Sequence, residues 1–236
     1  MSANVARIRK ELKGLGEKER AEVSQRFFKT GPGEYGEGDV FVGVRVPDLR
    51  RMAKRHREIP IRDIKLLLKS KIHEERFLAL LVLVLRYQNG NESVKKRIYR
   101  LYLNSTRHIN NWDLVDVTSP AIVGHFLSDK DRTPLYDLAG STSLWERRIA
   151  IISTLFFIRQ KDFEDTLAIA RRLLADPEDL IHKAVGWMLR EVGKRDQKAE
   201  ESFLRIHYRK MPRTMLRYAI ERFPERPRQQ FLKGRI

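Results

Sequence analysis

The sequence predicts an all-α protein, an α-solenoid of HEAT-like helical repeats that forms a single curved domain with a concave basic face. Three observations support this prediction. Apolar residues recur at spacings of three and four along most of the chain, as in amphipathic helices. The alternation typical of strands is nearly absent. A basic residue followed by an apolar run also recurs at a period near 35 residues, which suits a repeat of two helices.

Helical periodicity is clearest in five segments. They are IRDIKLLLKS (61–70), EERFLALLVLVLRYQ (74–88), ERRIAIISTLFFIRQ (146–160), FEDTLAIARRLLA (163–175) and IHKAVGWMLREVGKR (181–195). Short breaks rich in Gly, Asn, Asp or Pro separate the helices at 14–16, 89–91, 176–179 and 211–213. Together they predict roughly a dozen helices in one domain that covers residues 1–236.

The long irregular stretch GPGEYGEGDVFVGVRVP (31–47) begins with the spacing G-x-G-x-x-G. A dinucleotide-binding turn would follow a strand and open a helix, whereas this stretch follows the helical QRFFKT. It also carries Glu34, Glu37 and Asp39, which would repel phosphate, and it lacks the Lys-Ser/Thr ending of a P-loop. We therefore interpret it as a connecting loop.

The repeat is marked by Arg76, Arg148, Lys183 and Arg217, each followed by an apolar run. Their separations are 72, 35 and 34 residues, and 72 is twice 36, so a further member is expected near position 112. Basic residues at the start of each second helix would line the concave face as a ladder of phosphate contacts. The alternative is a row of solvated helix starts.

Charge and composition indicate the kind of partner. With 48 basic and 31 acidic residues, the net charge is +17 and the isoelectric point is about 10.3. This balance favours a polyanionic partner, first nucleic acid and second an anionic membrane surface, although a merely basic soluble protein would share it.

Composition also excludes several kinds of chemistry. The absence of cysteine rules out disulfides, cysteine-ligated metal sites and a thiol nucleophile. The six histidines are scattered without an i, i+4 pair, so we expect no metal and no cofactor. The N-terminal sequence lacks an apolar signal core, and the longest apolar run, LALLVLVL (78–85), is too short to span a bilayer. We expect a cytoplasmic monomer.

One stretch, HINNWDLVD (108–116), combines an aromatic residue with carboxylates in a strongly basic chain. Trp112 and Asp116 lie one helical turn apart and would share a face. Trp187 would share a face with Lys183 and Arg190 in the same way. On a solenoid these helices, with the one that carries Arg148, would be near neighbours on one surface. Each residue has a structural alternative: tryptophans in the core, an N-cap at Asn111 or Asp113, and an ion pair between Asp116 and Arg148.

Four segments of the chain together resemble one known family. They are RFFKTGPGEYGEGDVFVGVRVPDLRR (26–51), NNWDLVDVTSPAIVGHFL (110–127), LWERRIAIIS (144–153) and IHKAVGWMLRE (181–191). They resemble the DNA alkylation repair glycosylases of the HEAT-like repeat superfamily, the AlkD-type family. The similarity runs from about residue 5 to about residue 222.

The resemblance implies an all-α solenoid that binds duplex DNA on a concave basic surface and releases N3- and N7-alkylated purines without flipping the base out. Asp116 matches the family's catalytic aspartate, and Trp112 and Trp187 match the two tryptophans that flank the deoxyribose of the lesion. Arg148 and Arg190 match basic residues that hold the DNA backbone. Lys183, one turn before Trp187, is a further candidate for DNA contact. Phe27 falls where an aromatic residue lies near the substrate, in a region that aligns more loosely.

Two other functions remain open at this stage. A non-catalytic solenoid that binds DNA, RNA or an acidic protein would fit everything except the combination of Trp112, Asp116 and Trp187. A scaffold on an anionic membrane would need an exposed amphipathic helix, for which KKRIYRLYL (95–103) is the nearest candidate.

Overall fold

A computed structural model describes residues 2–236, and its regular elements are helices. The α-helices are α1 (Ala3–Leu15), α2 (Lys18–Phe27), α3 (Val46–Arg55), α4 (Ile61–Leu68), α5 (His73–Gln88), α6 (Glu92–Leu103), α7 (Trp112–Ser119), α8 (Thr133–Ala139), α9 (Leu144–Ser153), α10 (Leu155–Arg159), α11 (Glu164–Arg172), α12 (Asp179–Gly193), α13 (Gln197–His207), α14 (Arg213–Ala219) and α15 (Glu225–Leu232). A π-helical turn, Pro120–Gly124, follows α7. The all-α prediction is confirmed. Within residues 2–236, no helix combines the length and apolar character that a bilayer crossing requires.

The chain forms two compact units, one ending at Thr118 and the other formed by Ser119–Ile236. The first contains α1 to α6 and most of α7, and it is built around α5. The first ten side chains of α5, from His73 to Val82, are all buried. After its polar first turn, from Phe77 to Leu85, this helix is apolar on every side, which is typical of a helix enclosed by its neighbours.

Polar side chains at the start of α5 tie the first unit together. The Glu75 carboxylate accepts two hydrogen bonds from Arg9 of α1, at 2.9 and 3.0 Å. Arg76 donates to Asp39 at 2.6 Å and to the Ser70 carbonyl at 2.9 Å. Buried charges are tolerated only where they are paired in this way. The start of α5 therefore anchors α1 and the loop before α3.

The same loop is held by hydrogen bonds from three successive backbone N–H groups to one carboxylate. The buried Glu74 carboxylate accepts from the backbone N–H groups of Val42, Gly43 and Val44, the shortest of these bonds being 2.7 Å. Gly43 has a φ of 79°, and a Cβ there would lie 2.2 Å from the Glu17 carbonyl oxygen, so the position requires glycine. The interpretation of 31–47 as a connecting loop agrees with the structure for residues 31–45. The last two residues of the stretch, Val46 and Pro47, already belong to α3.

The second unit is built around α12, which packs on α9, α13 and α14. Gly186 allows α14 to approach closely, because a Cβ at this position would lie 2.4 Å from the Met215 carbonyl oxygen. Elsewhere in this unit, Gly124 of the π-helical turn lies against the Ser153 carbonyl at the end of α9. The two glycines thus allow close packing of α12 on α14 and of the π-helical turn on α9.

Most predicted helices are confirmed to within a few residues. The prediction of one helix over 146–160 is wrong in detail, because α9 ends at Ser153 and α10 begins at Leu155. The Thr154 hydroxyl donates to the Ile151 carbonyl at 2.7 Å and competes with the backbone of its own helix.

The structural repeat is offset by one residue from the sequence pattern. At the fourth position of α5, α9 and α12, a side chain bonds to the carbonyl six residues earlier, and these side chains are Arg76, Arg147 and His182. Arg147 also binds Asp176, at 2.6 Å. The equivalent positions are thus 147 and 182, next to the expected Arg148 and Lys183. At these positions the repeated side chains close turns between helices rather than facing solvent freely.

Candidate active site

An aromatic stack supports Trp112 at the start of α7. The partly exposed Trp112 ring stacks on Phe28, with centroids 5.1 Å apart and planes at 24°. Phe27 meets the same indole edge-on at 5.9 Å and is itself 63% exposed. The structure therefore brings Phe27 and Trp112 together. It also adds Phe28, a residue that the sequence did not single out, although the paired phenylalanines of RFFK were a visible signal.

Asp116 lies one turn after Trp112 on α7 and is partly exposed. The opposite side of the same helix is buried at Leu114, Val115 and Thr118. The Thr118 hydroxyl, two residues after Asp116, lies 2.9 Å from the Tyr102 hydroxyl. Burial raises the pKa of Tyr102 against the effect of its hydrogen bond with Thr118, and the negative charge of Asp116 adds to the rise. The tyrosine thus remains a neutral hydroxyl.

A second carboxylate on α7, Asp113, has a different environment. Its Oδ2 lies 2.8 Å from His73 Nε2, and His73 Nδ1 lies 3.4 Å from Asp39. Burial would lower the pKa of His73, but its hydrogen bonds to Asp113 and Asp39 outweigh burial and raise it. The imidazole stacks on Phe41 at 4.5 Å, which locks it in place. Asp113 is therefore engaged in a buried polar cluster, which no short-range sequence pattern shows.

Asn111 occupies the N-cap position of α7, as one of the two sequence alternatives suggested, and its carbonyl accepts the first helical hydrogen bond from Val115 at 3.2 Å. The fully buried Asn111 side chain accepts from the N–H of Trp112 at 2.8 Å, and Asp113 accepts from Leu114 at 2.8 Å. These local bonds fix the first turn of α7. They set the direction in which Trp112 and Asp116 project.

In the second unit, Lys183, Trp187 and Arg190 share one face of α12 at spacings of four and three, as predicted. The opposite face of α12 is buried. The Trp187 indole N–H donates to Glu191 at 3.2 Å. Burial alone would raise the pKa of Glu191, but hydrogen bonds from Lys194, Arg195 and Trp187 hold it below the usual value. The ionised Glu191 carboxylate therefore fixes the orientation of the indole.

The basic candidates of this unit have acidic or carbonyl partners. Lys183 pairs with Asp179 at 2.8 Å, and Arg190 pairs with Glu221. Arg148 is 5% exposed and its guanidinium donates to the Leu180 carbonyl, beside the first turn of α12. Arg148 thus connects α9 to the helix that carries Trp187, a contact that sequence spacing could not show.

A buried carboxyl group lies near Arg190. Glu200 of α13 is 3% exposed and packs directly against Gly193 of α12, where a Cβ would lie 1.6 Å from its Oε2. Burial raises the pKa of Glu200 to about 8, even though the charge of Arg190 lowers it. The folded protein therefore holds the proton of Glu200 more tightly than the unfolded chain does.

Glu200→Gln is expected to stabilise the protein above neutral pH. The pKa of Glu200 is raised in the folded state, so its contribution to stability is fully present below about pH 4.5 and is lost as the pH rises from there through about 8. The variant should gain on the order of 4 kcal/mol at pH 8 and much less at pH 5. Urea unfolding at both pH values measures this difference. An equal effect at both would show that Glu200 keeps an ordinary pKa in the folded protein.

Comparison with known proteins identifies the family. The family model described as "DNA alkylation repair enzyme" matches residues 8–223. The chain belongs to this family. A search of curated proteins finds no match. Among solved structures, a "Predicted DNA alkylation repair enzyme from Enterococcus faecalis" is similar, with a TM-score of 0.69 and 17% identity, covering 89% of this chain and 97% of that one. At this level of identity the likeness shows the shared fold.

Family membership confirms the resemblance found in the sequence. It supports a role in DNA alkylation repair, with DNA as the substrate class, and it agrees with the all-α repeat fold. Within residues 2–236, no group of three or more His, Asp or Glu side chains could hold a metal ion.

Proposed function

We propose that the protein is a DNA glycosylase that hydrolyses the N-glycosidic bond of N3- and N7-alkylated purines in duplex DNA, without flipping the base out of the helix. The observation that carries the proposal is the arrangement on α7. There, a partly exposed carboxylate, Asp116, lies one turn from an aromatic ring that Phe27 and Phe28 hold in place. The family's role in DNA alkylation repair is consistent with a substrate of this class.

The charge of the substrate explains why such a site suffices. Alkylation at N3 or N7 makes the purine cationic, so the base leaves without protonation by a general acid. The deoxyribose gains oxocarbenium character as the bond breaks. The catalytic task is then to stabilise a positive charge and to position water, and neither step needs a cofactor or a metal.

Asp116 has the charge that this task requires. A carboxylate about 4 Å from the developing cation contributes about 4 kcal/mol at an effective dielectric of about 20. An interaction present only in the transition state would therefore accelerate the reaction by roughly 10³. The same carboxylate would orient the attacking water. The π faces of Trp112 and Trp187 would add about 0.5–2 kcal/mol each through attraction of the cationic sugar.

Basic residues serve the phosphates rather than the base. In this proposal Arg148, Lys183 and Arg190 contact the DNA backbone, and Phe27 lies beside the lesion. In the free protein Lys183 pairs with Asp179, and Arg190 pairs with Glu221. When DNA binds, both basic side chains exchange these partners for phosphate. We further propose that the protein is cytoplasmic, that it is a monomer and that the whole chain functions as one domain.

The first test is incubation with duplex DNA that carries N7-methylguanine, followed by quantification of free base. The proposal predicts release of N7-methylguanine, leaving an abasic site. A protein that binds the duplex tightly but releases no base above the spontaneous rate would instead be a non-catalytic DNA-binding member of the fold.

Arg148→Ala is expected to weaken binding to any duplex, damaged or not, by roughly 1–2 kcal/mol, because phosphate contacts position DNA without reading sequence. The slope of log affinity against log salt should also become shallower by nearly one unit. Titration of both duplexes at several salt concentrations measures these changes. Because Arg148 also binds the Leu180 carbonyl, thermal unfolding must show that the variant is folded. A folded variant with unchanged affinity would restrict Arg148 to that structural contact.

A further inference from the structure

A groove in the first unit is lined by none of the residues assigned to catalysis. It is an open cleft of about 440 Å³ between α4, α6 and the turn 105–108. Its apolar lining is formed by Ile61, Leu68 and Leu101. This volume is within the range of ligand-binding clefts. We name it the α4–α6 groove.

The rim of the α4–α6 groove is cationic. Lys65, Lys69, Arg97, Arg100 and Arg107 line it, all of them exposed, and no acidic residue does. Elsewhere on this protein, exposed cations often have an acidic neighbour, as Lys183 has Asp179. Among residues 2–236, no ion pair or side-chain hydrogen bond engages Lys65, Lys69, Arg97 or Arg100. The rim therefore concentrates positive charge that the protein itself does not neutralise.

The folded protein places like charges together at a cost. Lys65 and Lys69 are one turn apart, and Arg97 and Arg100 are three residues apart on α6, so each pair shares a helix face. Like-charged pairs at such spacings destabilise a helix. Burial, and then the positive charges of Arg107 and Lys69, lowers the pKa of His108 at the end of the groove. A bound anion would relieve this repulsion.

The spacing suits a chain of phosphates rather than a single anion. Lys65 and Lys69 are separated by about 6 Å along α4 at 1.5 Å per residue. One strand of DNA carries a phosphate about every 3.4 Å along the axis. A second cleft of about 500 Å³ shares Ile61 and Arg97 with the first, but Glu58 lines it and pairs with both Arg57 and Arg86. The cations without an acidic partner therefore lie in the α4–α6 groove itself, where four of them offer more contacts than a single phosphate requires.

The packing of α6 disfavours a membrane surface as the partner. KKRIYRLYL (95–103) was the candidate amphipathic segment, and it lies within α6. Three of its apolar side chains, Ile98, Tyr99 and Tyr102, are at most 8% exposed, and Leu101 and Leu103 are partly exposed. Most of the apolar face that a bilayer would bind is therefore packed inside the protein.

We propose that the α4–α6 groove is a second nucleic-acid site, which binds the phosphodiester backbone of a strand outside the catalytic site. The rim cations contact the phosphates, and Ile61, Leu68 and Leu101 lie against the sugars. The site does not depend on the glycosylase reaction. It would allow one protein to hold two segments of DNA at once.

The test compares two variants with the same loss of charge. The groove variant carries Lys65→Gln, Lys69→Gln, Arg97→Gln and Arg100→Gln. The control variant carries Lys54→Gln, Arg171→Gln, Lys198→Gln and Arg226→Gln, four exposed positions outside the groove. All the changes are at exposed residues, so both variants should fold, and thermal unfolding verifies this.

Each protein is first saturated with an unlabelled 12-base-pair duplex, and a labelled second oligonucleotide is then titrated by sedimentation. We expect wild type and control to bind the second molecule and the groove variant to bind it about 10–100-fold more weakly. A 12-nucleotide single strand and a 12-base-pair duplex are tested separately, and the one that binds identifies the source of the phosphates. Equal second-site binding by the groove and control variants would overturn the proposal. A groove effect confined to anionic phospholipid vesicles would overturn it as well.

Discussion

Asp116→Asn is expected to slow single-turnover release of N7-methylguanine by about 10²–10³. The change preserves the size of the side chain and removes the charge that stabilises the sugar cation. Binding to undamaged duplex should be unchanged or slightly tighter, because one negative charge near the phosphates is lost. The partly exposed position predicts a melting temperature within a few degrees of wild type.

Asp137→Asn provides the matched control, because it makes the same change at an exposed carboxylate of α8. It should leave excision unaltered. The structural alternative for Asp116, a buried ion pair, predicts a loss of about 3–5 kcal/mol in stability. Excision and unfolding are therefore measured on the same preparation. A destabilised Asp116→Asn protein with full activity per folded molecule would end the catalytic assignment.

Glu74→Ala should destabilise the protein by about 3–5 kcal/mol. The substitution leaves the N–H groups of Val42, Gly43 and Val44 without their acceptor. Each buried, unsatisfied polar group costs about 1–3 kcal/mol, partly offset when water enters. The free energy of unfolding in urea measures the loss. Limited proteolysis should also cut the loop before α3 more readily.

Glu58→Ala is the control for Glu74, since the Glu58 side chain is 82% exposed and its ion pairs lie at the surface. Exposed pairs contribute at most about 1 kcal/mol. Glu74→Gln keeps one acceptor oxygen, so its loss of stability should be smaller than that of Glu74→Ala and larger than that of Glu58→Ala. If Glu74→Ala costs no more than Glu58→Ala, the carboxylate does not anchor the loop.

The sequence predicted the helices well because their signal is local. The breaks at 14–16 and 89–91 coincide with the end of α1 and the interval between α5 and α6. Asn91 caps α6 by accepting from Val94, a role typical of its residue type. The break at Thr154 was missed, because it depends on a hydroxyl that bonds within its own helix.

The site was predictable only in part. Helical spacing placed Trp112 with Asp116, and Lys183 with Trp187 and Arg190, on shared faces. The support for these residues comes from positions distant in sequence: Phe28 beneath Trp112, and His73 beside Asp113. The repeat register was misjudged by one residue because Arg147 and Arg148 are adjacent. Their contacts, with Asp176 and with the Leu180 carbonyl, distinguish them only in the folded chain.

The most direct test of the proposed mechanism is a comparison of a cationic and a neutral lesion in the same duplex. Wild-type protein is incubated in excess with DNA that carries either N7-methylguanine or hypoxanthine, and free base is quantified over time. If Asp116 and the tryptophans act on the positive charge, release of N7-methylguanine should exceed its spontaneous rate by several orders of magnitude, with hypoxanthine released little or not at all. Comparable acceleration of both bases, or of neither, would contradict catalysis by stabilisation of a cationic purine nucleotide.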